Sequence, residues 1–109
     1  MYISKYPDII RIAEHYGLRN QLDKLSEELR ELDFATIMAG IDLSFADRIS
    51  DKGVFGLLDE MADVLIMINQ IAHLLDIGDD VNKRIDFKID RQLHRMDKEG
   101  SDDPRTGQN

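Results

Sequence analysis

Four carboxylates in two matched pairs, Glu28-x-x-Glu31 and Glu60-x-x-Asp63, are the residues of this chain best suited to chemistry. An i, i+3 spacing sets both members of a pair on one face of a helix. The second pair is the more telling. From Met61 to Ile68 the chain reads Met-Ala-Asp-Val-Leu-Ile-Met-Ile, and Asp63 is the only polar residue in that run. A helix apolar around most of its circumference is normally buried by neighbours on several sides, so its carboxylates face an interior. An ionised carboxylate there has to be neutralised, paired with a base or bound to a metal. The dipole at a helix N-terminus accounts for Asp59, and less well for Glu60, but it explains Asp63 poorly. If the two pairs lie on helices packed antiparallel, four carboxylates converge, and their repulsion makes sense only with divalent cations among them. All-oxygen ligands favour Mg²⁺ or Mn²⁺, and Mg²⁺ commonly combines a few carboxylates with substrate phosphates.

Elements of the right length exist to position these groups. Pro7 and Asp8 start a short helix reaching Tyr16, with Ile9, Ile10, Ile12 and Ala13 as its apolar side and Gly17 as its stop. A second helix is expected from Leu18 to Ala39, with a 4-3-4-3 seam of Leu18, Leu22, Leu25, Leu29 and Leu32. At about 100° per residue, Gln21, Glu28 and Ala35 fall along one flank of that seam, Lys24 and Glu31 slightly further round, and Glu27 nearly opposite. Lys24 can pair with Glu28 at i, i+4. On this helix alone, acidic residues beside a seam read as a solvated face. The stretch Gly40–Gly56 mixes apolar residues with glycines and aspartates, and is expected to be a connection with a short helical piece around Phe45 to Ile49. The central helix follows, Leu57 to Leu75, ending near Ile77-Gly78. A last helix is expected from Val81 to Met96, with Val81, Ile85, Ile89, Leu93 and Met96 as its expected buried stripe. Along one flank of it run Arg84, Lys88, Arg91 and Arg95, a basic ridge able to hold phosphate or, more plainly, to form surface salt bridges. The polar residues after Met96 are expected to form a mobile tail.

Composition narrows the choice of partner. With 109 residues and a net charge of −8, one domain is expected, and no large nucleic-acid surface. Absence of cysteine excludes disulfides, thiolate zinc sites and cysteine nucleophiles. The start, Met-Tyr-Ile-Ser-Lys-Tyr-Pro, lacks the regions of a signal peptide, and no apolar run is long enough to span a bilayer, so a soluble cytoplasmic protein without a membrane partner is expected.

On these residues the chain resembles the MazG-like all-α nucleoside triphosphate pyrophosphohydrolases, in particular their short, phage-type single-domain members. The family motif, Glu-x-x-Glu, a variable spacer, then Glu-x-x-Asp, is matched by Lys24-Leu-Ser-Glu-Glu-Leu-Arg-Glu31-Leu32 and Asp59-Glu60-Met-Ala-Asp63-Val64-Leu65. The likeness takes in Tyr16 to Gln21, Ile66 to Gln70 and the Lys88…Arg91-Gln92…Arg95 pattern, and so spans Tyr16 to Met96. The family often has Asn where Gln92 stands, and the Gly40–Gly56 stretch matches no part of its pattern. The resemblance implies an all-α, four-helix MazG-like bundle over residues 1–96, completed by homo-oligomerisation, with 97–109 as a polar tail. It implies Mg²⁺-dependent cleavage of a nucleoside triphosphate between its α- and β-phosphates, giving a monophosphate and pyrophosphate. It makes Glu28, Glu31, Glu60 and Asp63 metal ligands, with one of the glutamates orienting or deprotonating the attacking water. Lys88, Arg91 and Arg95 become phosphate contacts. Gln21, one heptad before Glu28 on the same flank, is a candidate base or sugar contact, or else a plain helix-surface amide. Dimers or tetramers with sites at their interfaces are the general rule in such enzymes. Related readings keep the fold and change the substrate, as in phosphoribosyl-ATP pyrophosphohydrolases or dUTPase-like enzymes. A reading of a different class is a non-catalytic helical module whose Leu18–Leu32 seam packs on another chain.

Overall fold

Helical periodicity almost without proline dictates an all-α chain, and the computed structural model, which describes residues 3–102, has that architecture. Four helices follow one another, α1 (Tyr6–Tyr16), α2 (Leu18–Phe45), α3 (Asp51–Leu75) and α4 (Gly78–Asp102), and there is no strand among the described residues. Pro7 stands in the first turn of α1, where a missing N–H leaves no intrahelical bond unmade. Gly17 joins α1 to α2 at φ 85°, a conformation that disfavours any residue with a Cβ. Its N–H donates to the Ala13 carbonyl at 2.9 Å, and its own carbonyl accepts from the Gln21 N–H at 3.1 Å, so one residue closes one helix and opens the next.

The expected irregular connection from Gly40 to Gly56 is largely helical instead. Residues 46–50 alone lie between α2 and α3, and the short helical piece expected around Phe45 to Ile49 is absent. Gly40 is carried inside a long helix, where it weakens local helix stability by about 1 kcal/mol without ending it, since no proline follows to remove a donor. The turn is held by side chains. Asp42 Oδ2 accepts from the Ser50 N–H at 3.0 Å and the Ser50 hydroxyl at 2.7 Å. Ser50 Oγ in turn accepts from the Gly53 N–H at 3.0 Å and so caps α3. These two bonds hold the Asp42 carboxyl below the usual carboxylate range.

The short connection makes α2 and α3 antiparallel, and their facing stripes form the core. On α3 the buried residues are Val64, Met67, Gln70 and Ile71, and on α2 they are Gln21, Glu28 and Ala39. Burying an apolar side chain such as Val64 or Met67 stabilises the fold by roughly 1.5–3 kcal/mol. The leucine seam divides. Leu25 and Leu32 are half-buried, whereas Leu22 and Leu29 are each 47% exposed, because α2 is turned so that the flank of Gln21, Glu28 and the small residues Ala35 and Ala39 meets α3. α1 packs chiefly on α3, burying Ile9 and Ala13, and His73 Nε2 lies 3.1 Å from Glu14 Oε1 across that contact. Another side of α3 carries the exposed apolar residues Val54, Phe55, Leu58 and Met61.

α3 ends at Asp76, whose left-handed conformation (φ 54°) turns its N–H back onto the Ala72 and His73 carbonyls. The chain divides there into two compact units, and α4 belongs to the second, Ile77–Asn109. Asp79 and Asp80 stand in its first turn, where the helix dipole favours them. α4 runs past the expected limit at Met96 to Asp102: a helix already nucleated extends through Asp97, Lys98 and Glu99 without an apolar anchor. The rest of the expected tail, residues 103–109, lies outside the described residues. No helix among the described residues is long and apolar enough to cross a membrane.

Candidate metal centre

Antiparallel pairing of α2 and α3 brings the two acidic pairs to the same level. Glu28, Glu31, Glu60 and Asp63 each offer one carboxylate oxygen, and these oxygens all lie within 4.8 Å of one another. Glu28 is buried, Glu60 and Asp63 are half-buried and Glu31 is exposed, so the cluster runs from the interface outwards to solvent. Lys24 places its ammonium 3.2 Å from Glu28 Oε1 and 3.4 Å from Glu27 Oε2. Hydrogen bonds to Glu28 and Glu27 push the Lys24 pKa up, holding the charge on it. Glu27 itself is exposed and lies outside the cluster.

One ammonium does not balance four carboxyls. Burial, followed by the nearby Glu31 carboxylate, raises the Glu60 pKa above the usual range; burial and then Glu28 do the same for Asp63. Among the described residues, the buried side-chain oxygens with no hydrogen-bond partner are Glu28 Oε2 and Glu60 Oε2. Buried polar atoms are nearly always paired, so two orphans in one carboxylate cluster call for a donor or a cation. The donor set is all oxygen and suits a hard divalent ion. The residues present therefore fit Mg²⁺ or Mn²⁺.

Gln21 is not a helix-surface amide: it is buried, and its Nε2 donates to Oε1 of Gln70, which is 1% exposed. The pair lies on the same facing stripes as the acidic cluster, and gives the α2–α3 interface a second polar level. Gln70 carries no acidic or basic signal in the sequence; its spacing of seven from Asp63, two helical turns on, is the feature that marks it. Lys88, Arg91 and Arg95 stand on α4 and are exposed. The guanidinium groups of Arg84 and Arg91 lie 4.8 and 6.0 Å from the centre of the Phe87 ring, so an aromatic side chain orders part of the basic ridge.

A groove that the sequence did not reveal opens beside the cluster, between the later half of α2 and the beginning of α3, with a volume of about 960 Å³. Glu31 and Glu60 belong both to the cluster and to the groove wall. The groove was hidden because most of its α3 wall, Lys52, Gly53 and Gly56, falls within a stretch that reads as irregular. Comparison of the chain with protein-family models, with curated proteins and with solved structures gives no match.

Proposed function

We propose that the protein is a Mg²⁺-dependent nucleoside triphosphate pyrophosphohydrolase of the MazG-like type, cleaving between the α- and β-phosphates. The observation that carries the reading is the convergence of Glu28, Glu31, Glu60 and Asp63, with two buried oxygens lacking partners, at the interface of α2 and α3. Such a cluster is unfavourable for stability and explicable as a cation site. Glu28, Glu31, Glu60 and Asp63 hold the ion, for which Mn²⁺ is a substitute. When bound, the ion neutralises phosphate charge and acidifies water. Glu31, the exposed member, and Glu28 beside it are the groups to orient water and take its proton as its oxygen attacks phosphorus. The bond from phosphorus to the bridging oxygen breaks, and the products are a nucleoside monophosphate and pyrophosphate. Lys88, Arg91 and Arg95 are proposed as phosphate contacts.

The working unit is proposed to be a homo-oligomer, dimer or tetramer, and the fold a bundle completed between copies. Leu22 and Leu29 on α2 and Leu58 and Met61 on α3 are exposed apolar residues that a second copy would cover. The role that fits is removal of unwanted nucleotides from the cytoplasmic pool. Incubation with a panel of nucleoside triphosphates, dUTP and phosphoribosyl-ATP in Mg²⁺, with separate detection of pyrophosphate and orthophosphate, tests the activity. Pyrophosphate with an equal amount of monophosphate is the expected result. Release of orthophosphate alone, or no turnover of any member, contradicts it.

A further inference from the structure

Gly56 lies within α3, where glycine weakens a helix relative to alanine. At Gly53, one turn earlier, packing supplies the reason for glycine, because a Cβ would stand 2.7 Å from both Asp42 Oδ2 and Ile49 Cγ2. At Gly56 a Cβ would meet no atom within 4 Å, as is also true of Gly40 in α2, so packing among the described residues does not call for glycine there; what sets Gly56 apart is its place in the groove wall. Gly56 lines the groove, one turn before Glu60 and on the same face. Opposite it on α2 are Phe34 and Met38, spaced i, i+4 and both exposed. A flat ring and a polarizable thioether form a surface on which an aromatic ligand stacks. Arg30 and Lys52 also line the groove, beside the carboxyls of Glu27, Glu31, Asp42 and Glu60, so its wall is polar at the end that adjoins the cluster. The volume of about 960 Å³ falls within the range of about 300–1,000 Å³ usual for small-molecule sites.

We infer that this groove receives the base of the nucleotide whose phosphates lie at the acidic cluster, and that Gly56 is a specificity determinant, keeping open the space opposite Phe34 and Met38 that the base occupies. The inference rests on the cluster being a cation and phosphate site, and it adds the other end of the ligand. A side chain at position 56 then excludes the nucleoside while leaving the phosphate end untouched. Phe34→Ala removes the stacking surface from the opposite wall and does not depend on how a larger residue is accommodated in α3.

The test measures equilibrium binding, in Mg²⁺, of the α,β-imido analogues of dATP and dUTP and of inorganic tripolyphosphate, to wild type, Gly56→Leu and Phe34→Ala. Mn²⁺ titration and sedimentation of each protein accompany it. Gly56→Leu is expected to weaken the better-bound analogue on the order of tenfold, with tripolyphosphate and Mn²⁺ binding within about twofold of wild type. Phe34→Ala should shift in the same direction. Undiminished analogue binding in both variants overturns the inference, as does an equal loss of tripolyphosphate. A change of sedimenting mass in Gly56→Leu shows that the groove holds a second copy and overturns it too. Failure of the wild type to take up Mn²⁺ or tripolyphosphate is a different result, and removes the cation reading together with this one.

Discussion

The same substitution at two glycines three residues apart on α3 should change stability in opposite directions. At Gly56 the helical backbone accepts alanine and its Cβ meets open space, so Gly56→Ala gains helix propensity without a clash. That contribution is about 0.5–1 kcal/mol of added stability. At Gly53 the added Cβ would stand 2.7 Å from Asp42 Oδ2 and Ile49 Cγ2 and 3.2 Å from Ser50 Oγ. Asp42 Oδ2 and Ser50 Oγ belong to the joint that fastens Ser50 to α2 and caps α3, so they cannot move aside without disturbing its bonds. Overpacking of this kind destabilises by about 1–3 kcal/mol, more than the helix gain offsets. The two variants should therefore differ by about 2 kcal/mol, which in a domain of this size separates their Tm values by roughly 8–16 °C. Thermal unfolding followed by circular dichroism, without metal and at one protein concentration, measures the difference. Equal Tm values, or a Gly53→Ala protein more stable than Gly56→Ala, would refute the packing argument and the geometry of the Asp42–Ser50–Gly53 joint.

Asp63→Asn and Glu60→Gln should each abolish metal-dependent hydrolysis while leaving the helical circular dichroism spectrum unchanged, because each deletes a ligand and relieves repulsion; metal-supported turnover near wild type in both contradicts the assignment. Glu27→Gln should retain activity, since Glu27 lies outside the cluster, and an inactive Glu27→Gln beside an active Glu28→Gln reverses the choice of glutamate. The raised pKa values of Glu60 and Asp63 mean that the folded state binds these protons more tightly than the unfolded chain, whose ordinary values are 4.5 and 3.8. Their stabilising effect is thus fully present below those values and is lost as pH rises through the higher folded ones. Chemical denaturation of the metal-free protein should show wild type losing stability over that interval relative to the Glu60→Gln, Asp63→Asn double variant, and added Mg²⁺ should reverse the loss. Gln21→Leu or Gln70→Leu alone should destabilise by about 1–3 kcal/mol by orphaning a buried amide, and the double variant by less than the sum; simple additivity in urea denaturation counts against the buried pair.

The residues that were legible in the sequence are those whose polarity conflicts with their surroundings. Asp63 stands out because every other residue from Met61 to Ile68 is apolar. Helical geometry separates Glu28 from Glu27, and the structure buries the first and exposes the second. The leucine pattern was a poorer guide to α2, because it does not register that Ala35 and Ala39 allow the Gln21–Glu28 flank to approach α3 more closely than the leucines do. Gly40, Gly53 and Gly56 read as breakers because local propensity is blind to the long-range bonds that hold both helices up to the turn, those from Ser50 to Asp42. The heptad spacing of Gln21 from Glu28 and of Gln70 from Asp63 places each amide on its acidic flank, but that the two pair with each other, 49 residues apart, is not legible in either helix alone.

Titration of the protein with Mn²⁺, followed by the loss of the free-ion electron paramagnetic resonance signal, tests most directly whether Glu28, Glu31, Glu60 and Asp63 hold a divalent cation. Wild type should remove Mn²⁺ from solution in stoichiometric amount, Mg²⁺ should compete for the same site, and Asp63→Asn should leave the free-ion signal undiminished. A wild-type protein that takes up no Mn²⁺, or an Asp63→Asn variant that takes up as much as wild type, contradicts the account.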